Sequence, residues 1–179
     1  MLVNRNSYSA GGLILNPVND FSIFAGVNCC SPDDNDHDLD DFIRDDAEQH
    51  LKDKLAVTYG LFFPDEELSR YPLAFLTLQN DSLKINLAGY PYKAFPAVKI
   101  GRFGVHSRLQ GQGVGTHILN MVKDFMCKDN RTGCRFITLD AYNKENVIRF
   151  YKRNGFKFLK DPKPDRRQAL MYFNLLETP

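Results

Sequence analysis

Apolar residues recur at regular intervals in two stretches of this 179-residue chain. In the first stretch they return every three or four positions, with Asp, Glu and Lys between them. The positions are Leu39, Phe42, Ile43, Ala47, Leu51 and Leu55. Because residues three and four apart share one helical face, this spacing predicts an amphipathic helix. The same period runs from Val114 to Met126 and predicts a helix that begins near Gly113.

Shorter runs of β-branched, aromatic and leucine residues, bounded by Pro, Gly, Asn and Asp, predict strands. They cover residues 13–15, 55–63, 72–79, 82–85, 97–105, 135–139, 156–159 and 169–175. Glu145–Arg153 is predicted as a helix that ends at Asn154 and Gly155. Strands dominate the first part, and strands and helices then alternate, so we expect a mixed α/β (α+β) fold in a single domain, residues 1–179.

Two compositional features bear on the class of protein. The four cysteines lack zinc-site spacing, and an adjacent pair such as Cys29 and Cys30 rarely forms a structural disulfide, so we expect thiols. The acidic run over residues 33–38 lacks the glycine and terminal Glu of a calcium loop, so we expect no metal. No segment has the roughly 18 apolar residues of a membrane span, and the start lacks a signal-peptide pattern, so we expect a cytoplasmic protein.

Charge is distributed unevenly along the chain. The net charge is +1, but residues 1–97 hold 7 basic and 15 acidic residues, whereas residues 98–179 hold 16 and 7. The halves therefore carry about −8 and +9. This asymmetry favours an anionic ligand for the second half, although mutual attraction of the two halves explains it equally simply.

The basic half contains the most informative segment, a glycine-rich turn between a predicted strand and a predicted helix. Its residues are Gln110, Gly111, Gln112, Gly113, Val114, Gly115 and Thr116. Glycines allow a tight turn, and a helix N-terminus adds unsatisfied N–H donors and partial positive charge, so such a turn can bind phosphate. The lysine of a P-loop is absent, and the spacing differs from a dinucleotide fingerprint. A purely structural turn remains an alternative.

A second motif lies about 35 residues further on, where Phe150 and Tyr151 are followed by Gly155 and Phe156. The pair Gln-x-x-Gly-x-Gly and Phe-Tyr-x-x-x-Gly-Phe resembles the GNAT acetyltransferases. The resemblance covers residues 97–159. It implies acetyl-coenzyme A (acetyl-CoA) as cofactor, an amine as acceptor, and a mixed sheet that splays to admit the pantetheine arm.

The resemblance also implies roles for individual residues. Backbone groups of Phe103, Gly104 and Val105 would contact pantetheine and the thioester carbonyl, and residues 110–116 would hold the pyrophosphate. Asn143, Asn146 and Phe150 would approach the cofactor from the following helix. Many family members carry an asparagine seven residues before the tyrosine, where this chain has Lys144, so Asn143 or Asn146 would have to substitute.

Tyr151 is the expected general acid of a direct acetyl transfer in a ternary complex. Its unperturbed pKa of about 10 keeps the phenol protonated at neutral pH, so it can donate to the leaving thiolate. Without the family pattern, the residue reads as an aromatic core position. A base is not identifiable, because Glu66, Glu67, Asp140, His106 and His117 all have ordinary explanations.

A narrower resemblance concerns the toxin-type branch that acetylates aminoacyl-tRNA. Residues 39–43 resemble that branch's Leu-Asp-x-Phe-Leu helix, and residues 96–105 resemble its Pro-x-Val-x-Leu-x-Arg-Leu-Ala-Val strand. A tRNA acceptor would also account for a run of basic residues. They are Lys152, Arg153, Lys157, Lys160, Lys163, Arg166 and Arg167. This branch implies a small antitoxin partner and often a homodimer.

Other acceptors and other classes of function stay open at this point. A small-molecule or protein amine is the main alternative acceptor. A catalytically idle acetyl-CoA-binding sensor is a second class, which the intact glycine turn and Tyr151 disfavour. A plain nucleic-acid-binding module is a third, which the acidic N-terminal half disfavours.

Overall fold

Eight strands and four α-helices lie within the part of the chain that the computed structural model describes, residues 7–29, 37–64, 71–128 and 133–177. The strands are β1 (Tyr8–Ala10), β2 (Leu13–Pro17), β3 (Val57–Phe62), β4 (Ala74–Lys84), β5 (Ala94–Val105), β6 (Phe136–Tyr142), β7 (Lys157–Phe158) and β8 (Gln168–Asn174). The helices are α1 (Asp38–Asp41), α2 (Ala47–Lys52), α3 (Val114–Lys128) and α4 (Glu145–Arg153). Short 3₁₀ turns lie at Phe21–Phe24, Ser107–Leu109 and Leu175–Glu177.

The strands follow the order β1-β2-β3-β4-β5-β6-β8-β7. The pairs among β1, β2, β3 and β4 are antiparallel, as are those of β8 with β6 and β7. β5 and β6 are parallel, with register pairs from Ala97↔Phe136 to Ile100↔Leu139. The predicted mixed α+β class is therefore confirmed, while the splay of the sheet stays a prediction.

The chain divides into two compact units. The first comprises Met1–Leu78 and Arg102–Met121, and the second comprises Gln79–Gly101 and Val122–Pro179. Both β4 and β5 contribute residues to each unit, and so does α3. The expectation of a single domain stays a prediction.

The first unit contains the predicted amphipathic helix, interrupted by a change of pitch. α1 leads into a π-helical turn, Phe42–Asp46, and then into α2. Phe42, Ile43 and Ala47 are buried in a core with Phe24 and Phe75, as the apolar period predicts. The helix is thereby confirmed, but its expected end is corrected.

The last position of the predicted apolar face does not belong to the helix. α2 ends at Lys52, and Lys54 adopts a left-handed conformation with φ 58°. Leu55 then lies outside the helix with 57% of its surface exposed. A left-handed residue ends a helix because it cannot continue the i to i−4 hydrogen-bond pattern. The spacing of the apolar residues alone does not predict where this helix ends.

In the second unit, β4 corrects the prediction of two separate strands over residues 72–79 and 82–85. The strand continues through Asn80 and Asp81. The Asp81 carboxylate accepts hydrogen bonds from the Ser82 amide and the Thr138 hydroxyl of β6. Turn-forming residues are therefore accommodated in the strand by side-chain hydrogen bonds, which the local sequence does not reveal.

The later elements of the second unit match their predictions closely. α4 has the predicted bounds, and Gly155 follows it with φ 81°, a conformation that favours glycine. Leu83, Phe95, Ala97 and Phe136 form the apolar cluster of this unit. Among the described residues, no helix has the length and apolarity that a membrane crossing requires. None of the three described cysteines forms a disulfide.

Candidate functional site

In the first unit, the end of β5 requires a glycine at position 104. A Cβ at Gly104 would lie 2.7 Å from Cys29 Sγ and 2.7 Å from a ring carbon of Phe75. Contacts below 3 Å between such atoms force a shift of the neighbours. The cause of this requirement is core packing. Phe103, Gly104 and Val105 are the last three residues of β5.

The glycine turn follows β5 after one 3₁₀ turn and leads directly into α3. Gly111 has φ 75° and Gly113 has φ 83°, in the left-handed region that glycine adopts most readily. A Cβ at either position would meet no atom within 4 Å. The backbone conformation, not crowding, therefore requires these two glycines, and the space beside them is open to a ligand.

The first turn of α3 presents its amides at the same place. The helix begins at Val114, and its first hydrogen bond joins the His117 amide to the Gly113 carbonyl at 3.0 Å. The amides at an α-helix N-terminus have no acceptor within the helix, and the helix dipole makes this end partly positive. Together with the open space at Gly113, this arrangement can accept a phosphate group, and the contact with a pyrophosphate stays a prediction.

Side-chain amides hold the turn in place. Gln110 Nε2 donates to the Val105 carbonyl at 3.1 Å and to the Cys29 carbonyl at 2.9 Å. Gln112 Nε2 donates to the Arg108 carbonyl at 2.8 Å. The amide nitrogens of both predicted cofactor-binding glutamines therefore bind the protein's own backbone.

A buried carboxylate extends this hydrogen-bond chain to α1. Asp40 has 1% of its surface exposed, and its Oδ1 accepts from the Cys29 amide at 2.7 Å. Arg44 Nη2 lies 3.8 Å from the other oxygen. Burial and the Asp40 charge raise the pKa of the Cys29 thiol to about 12, so this thiol stays protonated at neutral pH. The sequence places Asp40 in the Leu-Asp-x-Phe-Leu resemblance and predicts a thiol at Cys29, but it does not predict the contact between them, which spans eleven residues.

In the second unit, Tyr151 lies half-buried on α4 between two aromatic rings. Its ring makes edge contacts with Phe150 and Phe156, at centroid distances of 5.1 and 5.6 Å. Its hydroxyl makes no hydrogen bond to any residue of the described chain. Burial raises the pKa of the Tyr151 phenol above its usual value, so the group stays protonated.

The three residues expected to approach the cofactor differ in their surroundings. Asn143 Nδ2 donates to the Lys163 and Arg166 carbonyls, at 3.3 and 3.1 Å, and so holds the following loop. Asn146 is exposed on α4, and Phe150 is half-buried. Asn146 therefore keeps the more accessible amide of the two asparagines proposed to replace the missing family asparagine at Lys144.

The candidate bases that the structure describes already have partners. Asp140 pairs with Lys99 at 2.6 Å. His106 Nδ1 accepts from the Arg108 amide at 3.2 Å, and His117 Nε2 lies 3.2 Å from the Ala10 carbonyl oxygen. Glu66 and Glu67, like Cys30 and residues 33–36 of the acidic run, lie outside the described residues. A base is not identified among the described groups.

Comparison with protein families finds one match to this chain. Residues 75–158 match the model described as an acetyltransferase (GNAT) domain. This range includes both the glycine turn and Tyr151. A search of curated protein sequences finds no significant match.

Solved structures share the fold across nearly the whole chain. The AtaTR complex bound with acetyl-CoA aligns with a TM-score of 0.68 and 21% identity, covering 93% of this chain and 96% of that one. AtaT complexed with acetyl-methionyl-tRNAfMet gives 0.65 and 21%, covering 90% and 94%. A tyrosine-to-phenylalanine mutant of KacT gives 0.66 and 17%, covering 92% and 96%. At these identities the likeness establishes the GNAT fold.

Proposed function

We propose that this protein transfers the acetyl group of acetyl-CoA to a primary amine, because residues 75–158 match an acetyltransferase (GNAT) domain model. The observation that carries the proposal is the turn at Gly111 and Gly113. Its left-handed glycines, the open space beside them and the amides of α3 fit a pyrophosphate in one short segment.

The proposed reaction is a direct transfer in a ternary complex. Bound acetyl-CoA supplies an activated thioester. Backbone N–H groups near Val105 stabilise the negative charge that develops on the carbonyl oxygen as the amine nitrogen attacks, a contribution of about 3 kcal/mol per donor. As the carbon–sulfur bond breaks, Tyr151 gives its phenolic proton to the sulfur. The proton lost by the amine returns the phenolate to a phenol, through solvent.

Two properties of Tyr151 support its role as general acid. Its hydroxyl makes no hydrogen bond to a described residue, so it can donate to a ligand. Burial raises the pKa of the phenol, so the group stays protonated at neutral pH. The aromatic contacts with Phe150 and Phe156 hold the ring while leaving the hydroxyl available.

For the acceptor, we propose the amino group of aminoacyl-tRNA. One neighbour of the same fold, AtaT, is complexed with acetyl-methionyl-tRNAfMet, and another is bound to the C-terminus of the antitoxin AtaR. The excess of positive charge after residue 97 favours a polyanionic substrate. An antitoxin partner, a homodimer and a cytoplasmic location go with this proposal.

The test is acetyl transfer from radiolabelled acetyl-CoA to parallel acceptors: mixed aminoacyl-tRNA, polyamines, aminoglycosides and a peptide library. Label on aminoacyl-tRNA, lost in Tyr151→Phe, is the expected result. Label on another amine would retain the acetyltransferase and replace the acceptor. Tight acetyl-CoA binding without label on any acceptor would favour the idle-sensor alternative.

A further inference from the structure

The second unit contains a groove along the outer side of α4. Its volume is about 680 Å³. Asn143 and side chains from α4 form one wall, and β7 with the segment that follows it forms the other. The lining residues are Asn143, Glu145, Ile148, Arg149, Lys152, Arg153, Phe158 and Pro162. The roles assigned to Tyr151 and to the glycine turn do not use this groove.

Apolar and basic side chains have different places in the groove. Ile148, Phe158 and Pro162 are partly buried, whereas Arg149 and Arg153 are exposed. Neither arginine forms an ion pair with a described residue. Lys152 Nζ lies 4.8 Å from the centre of the Phe158 ring, so its charge also remains without a carboxylate. Three positive charges thus face a single lining acid, Glu145.

The loop beyond the groove continues the positive charge. Lys160, Lys163, Arg166 and Arg167 are exposed there, with Asp161 and Asp165 as the acids among them. Asn143 fastens this loop to the start of α4, because its side chain donates to the Lys163 and Arg166 carbonyls and its amide donates to the Arg167 carbonyl at 2.9 Å. These hydrogen bonds therefore hold the basic loop beside the basic helix.

We propose that this basic groove binds the phosphate backbone of the acceptor tRNA, an inference that rests on the proposed function. Arg149 and Arg153 are one helical turn apart, about 6 Å along the axis. Cations spread along an open groove match an extended polyanion, whereas a single small anion needs converging donors. The groove lies on the helix that carries Tyr151, so binding there positions RNA on the catalytic element.

Arginine is also suited to this partner. Its planar guanidinium binds phosphate oxygens in a bidentate manner and stacks on bases, while the Phe158 ring offers a flat apolar surface. An acidic peptide of an antitoxin is the other polyanion that could enter the groove. We favour RNA because the positive charge continues over the loop, well beyond the eight lining residues.

The first experiment measures binding of fluorescent, uncharged tRNA to the full chain by anisotropy at several salt concentrations. The Arg149→Glu/Arg153→Glu variant is expected to bind at least about tenfold more weakly. The slope of log affinity against log salt should fall by about 1.4–1.8, the value for two lost phosphate contacts. Lys84→Glu/Lys93→Glu changes the charge equally at exposed sites outside the groove and should bind like wild type.

Further variants separate charge from folding. Arg149→Lys/Arg153→Lys keeps the charge and should retain most of the salt slope. Arg149→Gln/Arg153→Gln removes the charge without adding repulsion, and the salt slope should fall as it does in the glutamate variant. Thermal melting confirms that the variant is folded. In acetylation assays, these losses should appear in KM for aminoacyl-tRNA, whereas the Kd of acetyl-CoA stays unchanged.

The outcomes test the proposed tRNA-binding groove and the proposed acceptor separately. Unchanged tRNA affinity and salt slope in the folded glutamine variant would overturn the proposal that the groove binds tRNA. A variant that lost binding to an acidic antitoxin peptide but kept binding to tRNA would overturn it too. No tRNA binding by wild type would overturn it as well. Groove-dependent tRNA binding without acetylation of any aminoacyl-tRNA would support the groove and contradict the proposed acceptor.

Discussion

The glycine turn of the first unit and the tyrosine helix of the second are held in different ways. The turn is tied by hydrogen bonds from Gln110 to two carbonyls, one of them Cys29, which is itself bound to Asp40. Tyr151 is positioned by aromatic contacts, and its hydroxyl makes no hydrogen bond to a described residue.

This contrast matches the two roles we propose. A segment that binds a charged group with backbone amides must hold those amides in one conformation, so its side chains are used for support. A proton donor must keep its polar atom available, so its ring is fixed by apolar contacts instead. Substitutions in the turn should therefore impair binding, and substitutions at the tyrosine should impair turnover.

The largest effect is expected for Gly113→Glu. The carboxylate would face the pyrophosphate, and two unit charges 4 Å apart repel by about 4 kcal/mol at the effective dielectric of a protein surface. Acetyl-CoA affinity should fall by about a thousandfold in isothermal titration calorimetry. Gly89→Glu is the matched control, because Gly89 also has φ 83° and open space around it.

Gly89→Glu should carry the same backbone strain, about 1–2 kcal/mol, and the same added charge without loss of affinity. Equal losses in both variants would trace the effect to strain or net charge and remove the turn from the binding site.

Tyr151→Phe should lower kcat by about 10²-fold or more, with little change in acetyl-CoA affinity, because only the proton donor is removed. Pre-steady-state acetyl transfer measures the chemical step. Tyr172→Phe is the control, since Tyr172 is a half-buried tyrosine of the same unit that packs on Phe136 at 5.8 Å. Unchanged turnover in Tyr151→Phe, measured where chemistry limits the rate, would contradict the role of general acid.

The pH dependence follows from the raised pKa of Tyr151. The acid is active in its protonated form, and a raised pKa extends that form to higher pH. A rate profile for the chemical step should therefore show no loss assigned to Tyr151 up to pH of about 10, the unperturbed value. A descending limb between pH 7 and 9 that is absent from Tyr151→Phe would contradict this assignment.

Asp40→Ala tests whether the hydrogen-bond chain supports the turn. The Cys29 amide would lose its acceptor inside the protein, so the free energy of unfolding should fall by about 1–3 kcal/mol. Acetyl-CoA affinity should weaken as well, because Cys29 is a partner of Gln110. Urea unfolding and calorimetry measure the two effects, and Asp41→Ala is the exposed neighbouring control. Loss of stability with unchanged affinity would show that the chain only stabilises the core.

The smallest effect is expected for Gly104→Ala, at about 1 kcal/mol or more in the free energy of unfolding, because a methyl group would overlap Cys29 and Phe75. Thermal melting measures it. Gly26→Ala is the control, since a Cβ there would meet nothing within 4 Å and the backbone φ is not left-handed. A melting temperature equal to wild type would contradict the close packing at this strand.

Much of the fold followed from local patterns, and the errors lie at two places where other interactions or conformations override those patterns. The bounds of α4 and the start of α3 were predicted because helical period and glycine punctuation agree there. The split of β4 at Asn80 and the helical assignment of Leu55 were wrong. A side-chain hydrogen bond from Thr138 and a left-handed Lys54 decided those places, and neither is visible in neighbouring residues.

The candidate site shows the same division. The glycines at positions 111 and 113 and the tyrosine at 151 stand out in the sequence, because backbone conformation and proton chemistry demand particular residue types. The contacts of Cys29 with Asp40 and with Gln110 join separate segments of the chain. The grouping of Arg149 with Phe158 and Pro162 depends on how α4 packs beside β7. Short motifs indicate residues whose own chemistry or conformation is required. The contacts that hold the glycine turn and the surface that binds the substrate depend on packing between segments, which only the tertiary structure determines.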